Sequence, residues 1–338
     1  MRVTWAGGWG SVLRSALIVL PVVVLASACH VPGTGASGPA ASGGTITVAV
    51  VPGIDNAPLR VAVQDGLFQQ HGLKVTIEDL PSLNAVFQAL TSGQAQMAAG
   101  DYTGFFYEEA AKGAKLRLIA DGYDAASNSV AILTLPTSKI TTPQQLEGQS
   151  GAVAAPPHQL TQFSPAVPFS IPTLAAEEVL QNEGVSPSSV NWTQVEPDSM
   201  ISELKSGQVK AILTTEPYIQ EAEQKLGAVE VVDASSGVTS GLPMSGYFSQ
   251  SSYAHANPSV VQAFQQALDQ AQADCAQRGP VQAVLPSLTG MTAEDAALVT
   301  LGTYPTSLNV SQVQRVAQLM YDSGMIATPV NMNLLTSG

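Results

Sequence analysis

The sequence is poor in the residues that build metal, cofactor and catalytic centres. It has two cysteines, Cys29 and Cys275, which are too few for a framework of disulfides. Its four histidines lack the spacing of a metal-binding pair, and neither His-Glu-x-x-His nor Cys-x-x-Cys occurs. Gly-x-Ser-x-Gly elbows and Walker phosphate loops are also missing. The sequence therefore gives no positive sign of an enzyme, and we expect no metal and no cofactor.

Basic residues are scarce as well. Lys and Arg number 13 against 26 Asp and Glu, so the formal net charge is −13. The first 28 residues contain Arg2 and Arg14 and no acid, and the rest of the chain is more acidic still. Such a surface repels phosphates, which argues against nucleic acid or anionic lipid as the partner. Hydrophobic residues make up 45% and charged residues 12% of 338, which favours a globular chain of two lobes.

The N-terminal apolar run is short. Residues 16–26 form an apolar core behind Arg2 and Arg14, and they are too few to span a bilayer, which takes about 20 residues. Small residues at 26–28 precede Cys29, an arrangement that resembles a lipobox, where signal cleavage leaves a lipid-bearing cysteine as the new N-terminus. Ala26 stands where Leu is usual in that motif. Residues 1–28 are therefore predicted to be a signal peptide. The alternative to the lipobox is an ordinary signal peptide followed by an incidental cysteine.

A flexible tether follows the cysteine. Residues 30–44 are rich in Gly, Ala, Ser and Pro and lack a periodic apolar pattern. Such a segment reaches roughly 20 Å on average, which suits a folded body held off a membrane by the lipid on Cys29. Within it, Gly33, Gly35 and Gly38 match a dinucleotide fingerprint by letter. We discard that match because no strand precedes it and no helix follows it.

The next stretch predicts a β-α-β unit. Residues 46–51 are β-rich and end at Pro52-Gly53, residues 59–66 carry an amphipathic helical pattern, and residues 74–80 are β-rich again. A β-α-β unit requires a parallel sheet. Ligands of open parallel sheets bind at the carboxyl ends of the strands. Residues 52–57 are therefore the first place to look for a bound molecule.

This stretch also carries a family signature, Ala62-x3-Gly66-Leu67-Phe68-x3-Gly72-Leu73-x-Val75. It resembles the extracytoplasmic solute-binding proteins of ABC importers, in particular the group that binds sulfonates, taurine, nitrate or thiamine-precursor pyrimidines. A turn of this kind in an unrelated β-α-β protein is the alternative. The resemblance implies an α/β, two-lobed periplasmic-binding-protein type II fold, with a mostly parallel sheet flanked by helices in each lobe and a two-strand hinge.

Further patterns divide the chain along these lines. We expect the first lobe over 45–134, the second over 135–245, and a return to the first over 246–338, with hinge crossings near Leu135 and Gly246. Residues 83–91 predict a helix capped by Ser82, and residues 130–135 a strand of the first lobe. Residues 257–278 predict one long helix, with three more helical patterns after it.

Two segments resemble each other. Ser92-Gly93-Gln94 leads through a buried strand to Asp101-Tyr102, and Ser206-Gly207-Gln208 leads through another to Glu216-Pro217-Tyr218. Two lobes built alike would place Asp101 and Glu216 at corresponding strand ends, facing each other across a cleft. The family usually has Asp where Gln96 and Lys210 stand, and chance recurrence of a common turn is the alternative.

The candidate ligand-binding residues are polar or aromatic side chains predicted at strand ends or helix starts, and Asp101 and Glu216 are the sharpest candidates because each follows a buried strand. Capping and solvation are the simpler interpretation of such residues, above all of Ser82. The candidates are Asp55, Asn56, Ser82, Asn84, Asp101, Tyr102, His158, Glu216, Tyr218 and Tyr247.

The ligand class follows less directly from these residues. The set contains acids and no Lys or Arg, so a sulfonate would meet uncompensated negative charge. This favours an amine- or amidine-bearing solute such as an aminopyrimidine, which carboxylates bind by charge-assisted hydrogen bonds. Cys275, in a helical pattern, is interpreted as a packing residue.

The resemblance implies a monomer on the outer face of the cytoplasmic membrane that delivers a small organic solute to an ABC permease and its ATPase. An enzyme similar to the pyrimidine synthases of this fold and a ligand-sensing lipoprotein are the rival hypotheses.

Overall fold

The computed structural model describes residues 44–154 and 170–336. Cys29, the tether before Gly44 and His158 lie outside the described residues, so the predictions made for them stay predictions. Within the described parts, ten strands form two five-stranded mixed sheets. We call each sheet with the helices packed on it a lobe. A search of the described helices finds no candidate for a membrane-spanning segment.

The first sheet has the strand order β2-β1-β3-β10-β4. Strand β1 pairs in parallel with β2 and β3, and β10 is antiparallel to both β3 and β4. The strands are β1 (Gly44–Val50), β2 (Leu73–Asp79), β3 (Met97–Asp101), β4 (Leu116–Asp124) and β10 (Pro243–Gln250).

The second sheet repeats this plan with the order β7-β6-β8-β5-β9. Strand β6 is parallel to β7 and β8, and β5 is antiparallel to β8 and β9. The strands are β5 (Val130–Thr134), β6 (Ser150–Ala154), β7 (Asn191–Val195), β8 (Ala211–Thr215) and β9 (Val229–Asp233). Strands β3 and β8 thus hold equivalent places, and the repeated segments that lead to Asp101 and Glu216 are equivalent in the topology.

The hinge differs from the expectation in its position. Strand β5 is predicted in the first lobe, but it pairs with β8 and β9 of the second. The chain therefore crosses between the sheets at 125–129 and returns at 234–242, rather than near Leu135 and Gly246. The two crossings lie side by side, because the Ala125 N–H donates to the Leu242 carbonyl at 3.0 Å and the Ser129 N–H to Ser235 Oγ at 3.1 Å.

Helices surround both sheets. The N-terminal set is α1 (Ala57–Gln64), α2 (Leu67–Gln70), α3 (Leu83–Ser92) and α4 (Tyr102–Lys112). The second-lobe set is α5 (Ile171–Asn182), α6 (Pro197–Ser206) and α7 (Tyr218–Leu226). The C-terminal set is α8 (Ser251–Ala256), α9 (Pro258–Cys275), α10 (Arg278–Thr289), α11 (Ala293–Leu298), α12 (Val310–Asp322) and α13 (Met332–Thr336).

Local sequence explains where several helices begin and end. Ser82 caps α3 as predicted, since its Oγ accepts the Ala85 N–H at 3.2 Å. Helices α3 and α6 both end at a glycine in the left-handed region, Gly93 with φ 80° and Gly207 with φ 77°. The predicted long helix over 257–278 is confirmed as α9, which begins at Pro258, a residue suited to the first turn of a helix, and ends at Cys275.

The core of the first lobe contains a group of aromatic rings under β10. Phe248 is fully buried and stacks on Phe105 with 3.9 Å between ring centroids. Tyr102 and Phe106 meet the same ring edge-on. On the other face of the sheet, α9 places Phe264 against Phe68 of the family signature, with ring centroids 5.3 Å apart. The signature thus packs the first lobe against a C-terminal helix.

Candidate functional site

Two adjacent cavities lie between the lobes, where the carboxyl ends of β1, β3 and β8 meet. The first has a volume of about 260 Å³, and its walls come from both lobes. The first lobe contributes Val51, Pro52, Gly53, Asp55, Leu83, Gly100 and Asp101, and the second contributes Val153, Ser170, Pro172, Thr173, Leu213, Thr214 and Thr215.

The second cavity continues from the first toward the hinge. Its volume is about 230 Å³, and both cavities share Gly53, Asp55, Asp101, Pro172 and Thr215. The additional wall residues are Ile54, Tyr123, Ser129, Glu216, Met244 and Ser245. Three carboxyl side chains therefore reach this cleft, and the described wall residues include no Lys or Arg.

Asp101 connects the lobes. It caps α4, where its Oδ1 accepts the Thr103 N–H at 2.7 Å, and its Oδ2 accepts the Ile171 N–H of α5, in the other lobe, at 3.1 Å. Burial raises the pKa of Asp101 to about 6, although the hydrogen bonds from Thr103 and Ile171 act in the opposite direction. The contact holds the end of β3 against the start of α5.

Glu216 also connects the lobes, but it belongs to the second lobe and contacts a segment associated with the first. It follows β8 of the second lobe, and its Oε1 accepts the Thr300 N–H at 2.8 Å, while Oε2 accepts the Gln220 N–H at 3.1 Å. Thr300 follows α11, in a segment tied to the first lobe by paired hydrogen bonds between Thr303 and Asp124. Burial raises the pKa of Glu216. Both acids singled out from the repeated segments thus bridge the lobes.

The described partners of Asp55 all belong to the first lobe. Its carboxylate accepts hydrogen bonds from the Ser245 side chain and from the backbone N–H groups of Asp55 and Asn56. The Asn56 amide is also close, with Nδ2 3.3 Å from Oδ1 of Asp55. Burial raises the pKa of Asp55 despite these donors.

The start of α5 offers few free donors to a ligand. Ser170, Pro172 and Thr173 line the first cavity. The Ile171 N–H is bound by Asp101, Pro172 has no N–H, and the Thr173 N–H donates to Ser170 Oγ at 3.4 Å. The Leu174 N–H is bound by the Ser170 carbonyl. Helix N-termini are favoured anion sites in general. In this helix, however, the N–H groups of the first turn already donate to acceptors within the protein.

Three predicted residues near the cleft have other roles. Ser82 is buried and caps α3, so it has a structural role in place of the predicted role in ligand binding. Asn84 is exposed, and its neighbour Leu83 lines the cavity instead. Asn56 is 2% exposed and donates from Nδ2 to the Val51 carbonyl at 2.7 Å, which fixes the loop that carries Asp55.

The predicted aromatic residues lie away from both cavities. Tyr102 is buried under β10 and donates to Asp121 Oδ1 at 2.8 Å. Tyr247 packs on Phe264 on the other face of the sheet. Tyr218 donates to Asp198 at 3.0 Å, at a separate cavity between α7 and the α10–α11 turn. Each of these tyrosines follows a cleft residue by one or two positions in the sequence. Its side chain nevertheless points away from the cleft.

The sequence missed several wall residues. Ser245 reaches the cleft from β10, and Ser170, Pro172 and Thr173 reach it from the first turn of α5. The Ser-x-Pro-Thr pattern marks the start of a helix. Because this helix start follows a predicted strand, the sequence could have placed these residues at the cleft. Ser245 has no local signal, because only the long-range pairing of β10 with β3 places it near Asp55.

Two similar mixed sheets, joined by two crossings and separated by a cavity, form the two-lobed fold of periplasmic binding proteins, as the resemblance implied. The NMT1-like family matches residues 40–285. The chain belongs to the NMT1-like family.

Solved structures share this fold. The periplasmic aliphatic sulphonate binding protein SsuA from Escherichia coli is 18% identical, with a TM-score of 0.71 over 87% of this chain and 98% of its own. The periplasmic nitrate-binding protein NrtA from Synechocystis PCC 6803 is 13% identical, with a TM-score of 0.63 over 85% and 83%. The desulfurization enzyme DszB is 16% identical, with a TM-score of 0.65 over 87% and 96%. No curated protein sequence matches the chain.

Proposed function

We propose that this protein is the extracytoplasmic solute-binding component of an ABC importer, which captures a small organic solute in the cleft and delivers it to a permease and its ATPase. The cleft carries the proposal, since its walls come from both lobes and two carboxylates bridge them. A solute that contacts both lobes favours the closed arrangement and so shifts the population toward it. Binding proteins for sulphonate and nitrate with the same fold support this assignment.

Ligand titration with a shape measurement tests the proposal. We expect one compound from a panel of aminopyrimidines, alkanesulfonates, taurine and nitrate to bind, and to reduce the radius of gyration in small-angle X-ray scattering as the hinge closes. Native mass spectrometry of the freshly purified protein would supply further candidates by mass. Binding without any change in scattering would contradict capture by closure.

An enzyme on this fold is the second candidate, because DszB shares it. Against it, the one cysteine within 44–154 and 170–336 is Cys275, which is buried in α9 away from the cleft. Burial also raises the pKa of Cys275 to about 12, which leaves the thiol unreactive. In addition, no cluster of described acids, histidines or cysteines could hold a metal ion. Recovery of the bound compound unchanged after prolonged incubation would favour the binder, and conversion would favour the enzyme.

The proposal includes a lipid anchor at Cys29, on the outer face of the cytoplasmic membrane. It rests on the lipobox resemblance and on the Gly- and Ser-rich tether that follows. We expect Cys29→Ser to move the protein from the membrane fraction, or the detergent phase of a Triton X-114 partition, into the aqueous phase. Cys275→Ser is the matched control and leaves the partition unchanged. A variant at Cys29 that stays with the membrane would contradict the anchor.

A further inference from the structure

We propose that the solute carries a cationic nitrogen, an ammonium or amidinium group, and that Asp55 is the residue that pairs with it. The inference rests on the proposed function and names the chemical class of its ligand. It concerns the charge at one position of the cleft, and the rest of the solute is limited only by the size of the cavities.

Asp55 is distinguished from the other two cleft acids by where its partners lie. Asp101 and Glu216 each accept a backbone N–H from the opposite lobe, so their oxygens are committed to holding the lobes together. The described donors to Asp55 all belong to its own lobe: the Ser245 side chain, the adjacent backbone and the Asn56 side-chain amide. It also lines both cavities. A group that enters the cleft can therefore pair with Asp55 without breaking a contact between the lobes.

The charge of the cleft has no described counterion. The wall residues of both cavities include three carboxyls and no Lys or Arg within the described parts of the chain. The carboxyls also act on each other, since the charge of Asp55 contributes to the raised pKa of Asp101. An anionic solute would add to this repulsion in a space of low dielectric. A cation would offset it and form charge-assisted hydrogen bonds.

The backbone N–H groups that usually bind an anion already have acceptors within the protein. The N-terminal turn of α5 borders the first cavity, but Asp101, Ser170 and the imino ring of Pro172 leave it no free N–H among its first four residues. Among the described wall residues, a sulfonate or carboxylate would therefore find no side-chain cation, and the start of α5 offers it no free N–H. The volumes of about 260 and 230 Å³ are near the lower limit of small-molecule sites. The ligand is accordingly a compact cation.

A matched set of probes tests the charge directly. Benzamidine, benzamide and benzenesulfonate share one ring and differ in charge, and propylammonium, propanol and propanesulfonate form a smaller set. At pH 8 we expect calorimetry to show binding of a cation from at least one set, with its neutral analogue weaker and its sulfonate not bound. Asp55→Asn should weaken cation binding about 30-fold or more, as expected when one partner of a buried ion pair is removed.

Two further variants separate the role of Asp55 from a general effect. Asp65→Asn removes the same charge at an exposed position after α1 and should leave binding unchanged. Gly53→Ala keeps all charges, but its Cβ would lie 2.6 Å from Asp55 Oδ1 and displace the carboxylate, so it should weaken cation binding while the melting temperature is retained.

The outcomes also distinguish this inference from the proposed function. Binding of a sulfonate or nitrate with hinge closure, failure of every cation, or cation binding unaffected by Asp55→Asn would overturn the inference and leave the importer role intact. Failure of any small solute to bind and close the cleft would count against both.

Discussion

The melting temperature of the ligand-free protein is expected to fall by roughly 5 to 10 °C as the pH is raised from about 5 to about 8. Burial raises the pKa of both Asp101 and Asp121 to about 6, from an ordinary value of 3.8. The folded protein therefore holds these protons more tightly than the unfolded chain. Their stabilising contribution is complete below the unfolded pKa and is lost as the pH rises through the folded pKa.

The magnitude follows from the same shifts. Between pH 5 and 8 each of the two carboxyls loses about 1.4 kcal/mol, so together they lower the free energy of unfolding by about 3 kcal/mol. Asp124, half-buried beside Asp121 with its pKa raised to about 7, acts in the same direction. Differential scanning calorimetry at a series of pH values measures the fall.

Single substitutions test which carboxyl groups cause this dependence of stability on pH. Asp121→Asn keeps an acceptor for the Tyr102 hydroxyl, which donates to Asp121 at 2.8 Å, but it cannot ionise. The variant should therefore lose about 1.4 kcal/mol less of its free energy of unfolding between pH 5 and 8 than the natural protein does. Asp65→Asn, at an exposed position, should keep the full slope. A melting temperature that is constant or rises over this pH range would contradict the assignment.

Phe248→Ala is expected to lower the free energy of unfolding by about 3 to 5 kcal/mol. The ring is fully buried in β10, stacked on Phe105 at 3.9 Å and met by Tyr102 at 5.7 Å between centroids. Its removal leaves a cavity and also breaks these aromatic pairs. Among the described strands, β10 alone joins β3 to β4, so the loss weakens the whole first lobe.

Urea unfolding of the first lobe, followed by tyrosine fluorescence and circular dichroism, measures this loss. Leu298→Ala is the matched control, since that side chain is 63% exposed and its truncation should change stability by less than about 0.5 kcal/mol. Phe248→Leu should lie between the two, because it retains most of the buried volume. Equal losses for Phe248→Ala and Leu298→Ala would show that the aromatic group does not support the lobe.

Local patterns in the sequence were sufficient to predict several helices and strand ends. Apolar periodicity and capping residues predicted α3 with its Ser82 cap, and the repeated Ser-Gly-Gln segments predicted that Asp101 and Glu216 hold equivalent strand ends. The family signature predicted the two-lobed fold. These predictions succeeded because a cap, a left-handed glycine and an alternating or helical pattern are set by neighbours within a few residues.

Features that depend on contacts between distant residues follow from the three-dimensional packing and could not be predicted from the sequence. The sheet to which β5 belongs is set by pairing with β8 and β9, about 80 to 100 residues away in the chain, and a short apolar run carries no record of its partner. Ser245 comes near Asp55, and the Ile171 N–H near Asp101, only when the hinge brings separate segments together. Tyr102 and Tyr247 point into the core because successive side chains leave a strand or helix on different faces, and the packing of the sheet decides which face is the cleft.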